Sequence, residues 1–170
     1  GSSLPKLTGG FGFRLFYKGW SLNAQFNYRY GNKIINEARM HAEKMHGSEN
    51  QSTAVNYRWR KEGDGADGGH ILPRALYGQG YNWLGSDRFV EDGSFLRLNY
   101  LQLSYSLDSK LIKRIGLSRL SLYVSGDNLF CLTKYSGVDP EVNYGNMGVT
   151  TDKATTPRAK SFTFGLTATF

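Results

Sequence analysis

Trp20-Ser21-Leu22-Asn23-Ala24-Gln25-Phe26-Asn27-Tyr28-Arg29-Tyr30 alternates apolar and polar side chains for eleven residues without an error of period. Successive side chains of an extended chain point to opposite faces, so the stretch predicts a strand with one oily face and one wholly polar face. Immediately upstream, Phe11, Phe13, Leu15 and Tyr17 share one parity against Gly12, Arg14 and Phe16, and Lys18-Gly19 between the two runs predicts a turn. Together they predict a β-hairpin, with strands at about 10–17 and 20–30.

Three later stretches follow the same rule, at about 94–107, 119–130 and 160–170. Leu101, Leu103, Tyr105 and Leu107 oppose Gln102, Ser104 and Ser106, but the parity reverses upstream, where Leu96 and Leu98 oppose Arg97 and Asn99. A bulge near Asn99, or an exit from the buried zone, accounts for that slip. Leu120, Leu122 and Val124 oppose Ser121, Tyr123, Ser125 and Asp127. Phe162, Phe164, Leu166, Ala168 and Phe170 oppose Ser161, Thr163, Gly165, Thr167 and Thr169.

The connections alternate in length. Two residues join the first pair of strands, the 63 residues Gly31 to Gly93 the second, about a dozen the third and roughly 28 the fourth. Short, long, short, long is the pattern of an up-and-down outer-membrane barrel, with tight periplasmic turns and large extracellular loops at 31–93 and 132–158. Trp20, Tyr17, Tyr28, Tyr30, Phe162 and Phe170 near strand ends suit an interfacial girdle.

Composition agrees. The 170 residues include 11 Tyr, 10 Phe and 3 Trp with 21% charged residues, which is too aromatic and too weakly charged for a disordered segment. No run of about 18 apolar residues occurs and Gly1 to Gly10 has no apolar h-region, so neither a spanning helix nor a signal peptide is expected. The single Cys131 permits no intrachain disulfide. The net charge of +7 is not a nucleic-acid groove, because Gly31 to Gly93 holds 8 basic against 9 acidic residues and the largest local excess is Lys110, Lys113, Arg114 and Arg119 against Asp108.

Chemistry-bearing patterns are sparse, and no enzyme is expected. Gly63, Gly65 and Gly68 match G-x-G-x-x-G, but Pro73 bars the helix that a dinucleotide site needs directly after the glycines. Asp64 and Asp67 leave calcium as a minor alternative to a flexible loop, since the remaining ligands of a helix-loop-helix site are missing. No other cofactor is expected. His41 and His46 lie five apart and so fall on different sides of the short helix, capped at Asn36, that Asn36 to His46 predicts. A soluble five-stranded OB-like module binding nucleic acid or carbohydrate is the rival reading, disfavoured by the strand lengths, the long loop and the terminal Phe170.

Several ordered stretches resemble the C-terminal end of a SusC/RagA-type TonB-dependent outer-membrane transporter. They are Asp92-Gly93-Ser94-Phe95-Leu96-Arg97-Leu98 with Leu101-Gln102-Leu103-Ser104-Tyr105, Leu122-Tyr123-Val124-Ser125-Gly126-Asp127-Asn128-Leu129-Phe130, Thr133-Lys134-Tyr135-Ser136-Gly137-Val138-Asp139-Pro140-Glu141-Val142, and the closing strand to Phe170. The opening Leu4-Pro5-Lys6-Leu7-Thr8-Gly9-Gly10-Phe11 and Tyr17-Lys18-Gly19-Trp20 are similar to the same family. The resemblance implies an all-β fold, the last five antiparallel strands of a barrel of about 22 strands. It implies a plug domain that this chain does not hold, import of glycans or peptides powered by the TonB complex, and a SusD-like surface lipoprotein as partner. Outer-membrane lipid and the rest of the transporter would be its other neighbours, and nucleic acid would not.

On that basis Arg14, Asn23, Gln25, Asn27, Arg29, Tyr123 and Asp127 are expected to face the lumen. Trp59, Tyr77, Tyr81 and Trp83 are the candidate loop contacts for a lid or a sugar ring. Phe162, Phe164, Leu166 and Phe170 form the expected assembly signal of the closing strand.

Overall fold

The computed structural model describes residues 1–66, 72–78, 86–108, 112–113, 116–141 and 149–170. Among them the chain order is β1 (Leu7–Tyr17), β2 (Trp20–Tyr30), β3 (Lys33–Asn36), helix α1 (Glu37–Glu43), β4 (Val90–Asp92), β5 (Phe95–Ser106), β6 (Arg119–Thr133), β7 (Thr151–Asp152) and β8 (Ser161–Thr169). Five long strands form one antiparallel sheet in the order β1-β2-β5-β6-β8. Each strand pairs with the next long strand in the chain, which is a meander. A Greek-key OB barrel does not fit, because β1 and β8 are open edges of this sheet and one sheet face is apolar throughout.

Turn chemistry sets the first register. Lys18 and Gly19 both have positive φ, 43° and 87°, so the two-residue loop matches the right-handed twist of its strands and brings Tyr17 opposite Trp20. A Cβ at position 19 would come within 2.9 Å of the Ser106 carbonyl oxygen, so glycine is required there on both counts.

The parity reversal in the third long strand is a bulge. Gln25 pairs with Tyr100 and Phe26 with Leu98, leaving Asn99 as the extra residue against β2. On the other side Leu98 faces Phe130 and Tyr100 faces Asp127, so β6 carries two residues, Asn128 and Leu129, where β5 carries one. Asn128 takes φ 52°, and the Leu129 side chain lies over Gly126, where a Cβ would meet its Cδ2 at 2.7 Å. With these insertions Leu22, Leu103, Val124 and Phe164 align across four strands, as do Asn23, Gln102, Ser125 and Thr163 on the opposite face.

The apolar face is open. Phe11 stacks on Phe26 with ring centroids 5.0 Å apart, yet Phe11, Phe13, Leu15, Leu122, Phe162 and Leu166 all remain exposed and Phe164 is 80% exposed. No described helix is long and apolar enough to cross a membrane, and crossing by strands does not require one.

The connections are more structured than the spacing predicts. Strands β3, β4 and β7 form a second sheet in the order β4-β3-β7, antiparallel between β3 and β4 and parallel between β3 and β7. The expected helix is present but shorter, ending at Glu43 ahead of Met45, whose φ is 49°. Asn36 caps it, accepting a hydrogen bond from the Arg39 amide. Strand β6 runs to Thr133 instead of stopping near Phe130, because its far end pairs with Phe95.

If the apolar face meets lipid, Leu101→Arg, near the middle of β5 and opposite Ala24, should cost about 2–4 kcal/mol as a charge near the bilayer midplane. Gln102→Arg, one residue away on the polar face, should be tolerated. The heat-modifiable band of the full-length protein on unboiled gels measures this, and equal loss from both variants would refute the assigned faces.

Candidate functional site

Two regions carry polar structure. The first is the polar face of the main sheet. Arg14 pairs with Asn23, and Gln25 and Asn27 lie opposite Gly12 and Gly10, whose missing side chains leave a concavity of about 610 Å³ lined also by Asn99. Arg29 lies at the loop end of the same face with its guanidinium 5.5 Å from the Phe95 ring, and Arg97 approaches that ring at 5.7 Å. Tyr123 and Asp127 share the face two strands away and are engaged locally. The Tyr123 ring covers Gly165, where a Cβ would meet its Cζ at 2.2 Å, and Asp127 accepts a hydrogen bond of 2.7 Å from the Ser161 hydroxyl. Cys131 is half-buried on this face, opposite Arg97.

The second region is the loop layer, and sequence reasoning missed what holds it together. Arg97, only 4% exposed, leaves the outer end of β5 and pairs with Asp139 through Nη2 and with Glu141 through Nε at 3.1 Å. Arg158 binds Glu141 on its outer side at 2.8 Å. The buried Pro140 between the two acids fixes their backbone, so Asp139-Pro140-Glu141 acts as a clamp on one guanidinium. Both halves of this contact were among the stretches that carried the family resemblance, but 42 residues separate Arg97 from Asp139 and no periodicity pairs them.

Glu91 of β4 makes the second junction. Its carboxylate accepts hydrogen bonds from the Ser136 amide at 2.8 Å, the Ser136 hydroxyl at 2.8 Å, Arg39 Nη1 at 3.1 Å and Asn36 Nδ2 at 3.2 Å. Burial opposes its charge, and these donors outweigh the burial, so the carboxyl titrates below the usual 4.5. Arg39, whose own titration is raised by the same carboxylates against the opposing effect of burial, also binds Glu43 at 2.9 Å, and Glu43 holds Arg88 at 2.8 Å. Behind them Tyr135 packs on Ile34, and its hydroxyl donates to Asp152 at 2.6 Å. Burial, then that carboxylate, pushes the phenol well above its usual range.

A cleft of about 1110 Å³ opens beside this ladder, between α1 and the 3-10 turn Thr53–Tyr57, with Ser136 and Gly137 contributed by the other connection. Of the candidate loop contacts, Trp59 is half-buried with the Arg74 guanidinium 5.7 Å from its ring, and Tyr77 is 81% exposed. Tyr81 and Trp83 lie outside the described residues, as do Asp67, Gly68, Lys110 and Arg114. Asp64 accepts from the Arg60 and Lys61 amides of its own turn, at 2.7 and 3.0 Å. No group of three metal-ligating side chains occurs among the described residues. Phe162, Phe164 and Leu166 lie on the apolar face of β8 and Phe170 just beyond its end, where Ser118 Oγ donates to its carbonyl at 3.3 Å.

An antiparallel meander with one lipid-compatible face, one polar face and an ordered loop layer defines a segment of an outer-membrane β-barrel. No protein-family model matches the chain. It is 31% identical over its whole length to TonB-dependent receptor P3 of Formosa agariphila, and 35% identical over half its length to the TonB-dependent receptor SusC of Bacteroides thetaiotaomicron. Among solved structures, it matches the RagAB peptide importer in the closed-closed state with TM-score 0.80 and 29% identity over 99% of its length. In the open-open state the TM-score is 0.76 at 28% identity. The chain spans 17% of receptor P3, 8% of SusC and 18% of the RagAB chain. It belongs to the SusC/RagA-type TonB-dependent receptors of the bacterial outer membrane, as part of their C-terminal barrel wall.

Because Glu91 titrates below its ordinary value, its contribution is complete above about pH 4.5 and is lost as pH falls through the lowered value. Protease nicking of residues 134–141 in the folded receptor should therefore rise below that pH in the wild type, and already be high at pH 7 in Arg97→Met. Removing one member of a buried ion pair costs about 3–5 kcal/mol locally. Equal nicking of Arg97→Met and wild type at pH 7 would show the clamp to be idle.

Proposed function

We propose that the chain forms part of the wall and outer rim of an importer that carries glycans or peptides across the outer membrane, energised by the TonB complex through parts of the receptor beyond this segment. The observation that carries this reading is the match to the RagAB peptide importer over 99% of the chain, loop layer included, at 29% identity. Identity to SusC supports the same class of receptor.

In this reading the turn Lys18-Gly19 and the 107–118 connection face the periplasm, and the connections 31–93 and 132–158 face outward. The polar face looks into the lumen, with Arg14, Asn23, Gln25, Asn27 and Arg29 available to the plug or the solute path. The apolar face meets lipid. Phe162, Phe164, Leu166 and Phe170, on and just beyond the apolar face of β8, serve as the stretch that the assembly machinery reads, and calcium at the Asp64 turn is a secondary proposal.

A SusD-like surface lipoprotein is the proposed partner of the loop layer. Ordering a 63-residue connection costs conformational entropy that a bare loop need not lose, and here its two ends are built into a second sheet. The exposed Tyr57 and Tyr77 lie on that layer as candidate contacts. Excising Gly63 to Gly80 touches no strand of either sheet, so barrel insertion should survive while co-purification of the lipoprotein and uptake of the nutrient weaken. A deletion mutant that inserts, keeps its lipoprotein and grows normally on the cognate nutrient would remove the partner assignment.

A further inference from the structure

Among the described residues the two long connections meet through many polar contacts. Among the described residues their buried hydrophobic cluster is the single pair Ile34 and Tyr135. The other described contacts between them include the bonds from Ser136 to Glu91, the Asn36–Ser136 hydrogen bond, the Lys153–Glu37 ion pair and the short pairing of β3 with β7, while the clamp of Asp139 and Glu141 on Arg97 ties the second connection to the barrel wall. Groups of this kind exchange protein partners for water at a small net loss, so a layer built from them separates more readily than one with an oily core.

The closed layer also buries polar groups that find no partner among the described residues. Asn32 and Thr150 are both 0% exposed, and Asn32 Nδ2, Asn32 Oδ1 and Thr150 Oγ1 have no hydrogen-bond partner. They flank Ile34: the Thr150 carbonyl accepts a hydrogen bond from the Ile35 amide at 2.9 Å, and Asn32 lies two residues before Ile34, just ahead of β3. The Asn32 amide presses on Gly93, where a Cβ would come within 2.4 Å of Nδ2. Buried polar atoms without partners lose their hydration with no compensation, and they regain it when the layer opens.

We propose that the loop layer is a latch. Glu91 closes the two connections on each other, Arg97 ties the pair to the barrel wall, and the buried Asn32 and Thr150 side chains, which have no protein partner, bias the closed form toward opening. Opening removes both carboxylates from Arg97, which stands beside Phe95 and Arg29 on the polar face. A movement of the outer loops thereby changes the charge presented at the rim of that face. The link to uptake rests on the importer reading above, whereas the latch itself does not.

Amide hydrogen exchange on the full-length receptor tests the latch directly. In Glu91→Gln, amides of both 33–43 and 134–141 should exchange about tenfold faster, while Leu22 and Val124 in the barrel strands stay protected. Thr150→Val, which removes the unpaired hydroxyl at nearly constant volume, should slow both segments about tenfold. Faster exchange in one segment alone, or no slowing in Thr150→Val, overturns the proposal. The heat-modifiable band confirms that each variant has a folded barrel. A disulfide between Asn36→Cys and Ser136→Cys, in a Cys131→Ser background, should abolish uptake until reduced, since Asn36 Nδ2 and Ser136 Oγ are 3.3 Å apart in the closed form. Exchange that behaves as expected with normal uptake in the locked receptor would leave a static brace and overturn the opening step.

Discussion

The rest of the structure depends on one requirement: backbone amides and carbonyls inside a bilayer must bond to each other, because no water is there to take them. A sheet meets it only if neighbouring strands stay in register across the whole hydrocarbon layer. Period-two alternation then decides which side chains meet lipid, and a slip of one residue would turn every Leu and Phe of a strand to the polar side. The extra residue Asn99 in β5 is such a slip, and it is absorbed by a bulge against β2 on one side and by the Asn128-Leu129 insertion of β6 on the other. Leu96 and Leu98 therefore share a face with Leu101 and Leu103 although their numbers differ in parity.

Glycine has two different jobs in this sheet. At Gly19 it supplies a positive φ that the hairpin demands. At Gly165 it has ordinary extended backbone and is there because the Tyr123 ring occupies the space of its side chain. An aromatic ring over a strand glycine shields backbone hydrogen bonds that would otherwise be bare, a device that keeps a polar, water-facing side of a sheet from fraying. Tyr123 is thus first a structural residue of the polar face. Arg14, Asn23, Gln25 and Asn27, opposite glycines or each other around an open concavity, are the members of that face left free to meet something else.

The long strands were legible in the sequence because each runs for nine or more residues with a face of one polarity, enough to establish a period. The cap at Asn36 was legible from local chemistry. The second sheet was not, since β3, β4 and β7 have four, three and two residues, too few to show any period. Nor was the clamp: Asp139 and Glu141 lie in a connection that shows no period, and their role appears only when Arg97, on a strand more than forty positions earlier, is placed between them. Register within a strand is a local property, whereas an ion pair across connections is fixed by the tertiary path of the chain.

That difference follows from how the two layers are stabilised. In the barrel wall the solvent itself enforces the pattern, since lipid rejects a polar side chain wherever it occurs, and the sequence must obey at every second residue. In the loop layer water is available on one side, and a carboxylate can trade a protein donor for a water molecule with little change in free energy. Stability there comes from a few many-donor junctions such as Glu91, whose four hydrogen bonds span β3, α1 and the segment after β6. A wall held by a repeated pattern spreads its stability over many contacts, whereas the loop layer concentrates much of its own in a few, with the grip on Glu91 and the clamp on Arg97 foremost. The same chain therefore joins a rigid wall to an outer surface able to rearrange, with Arg97 as the residue that belongs to both.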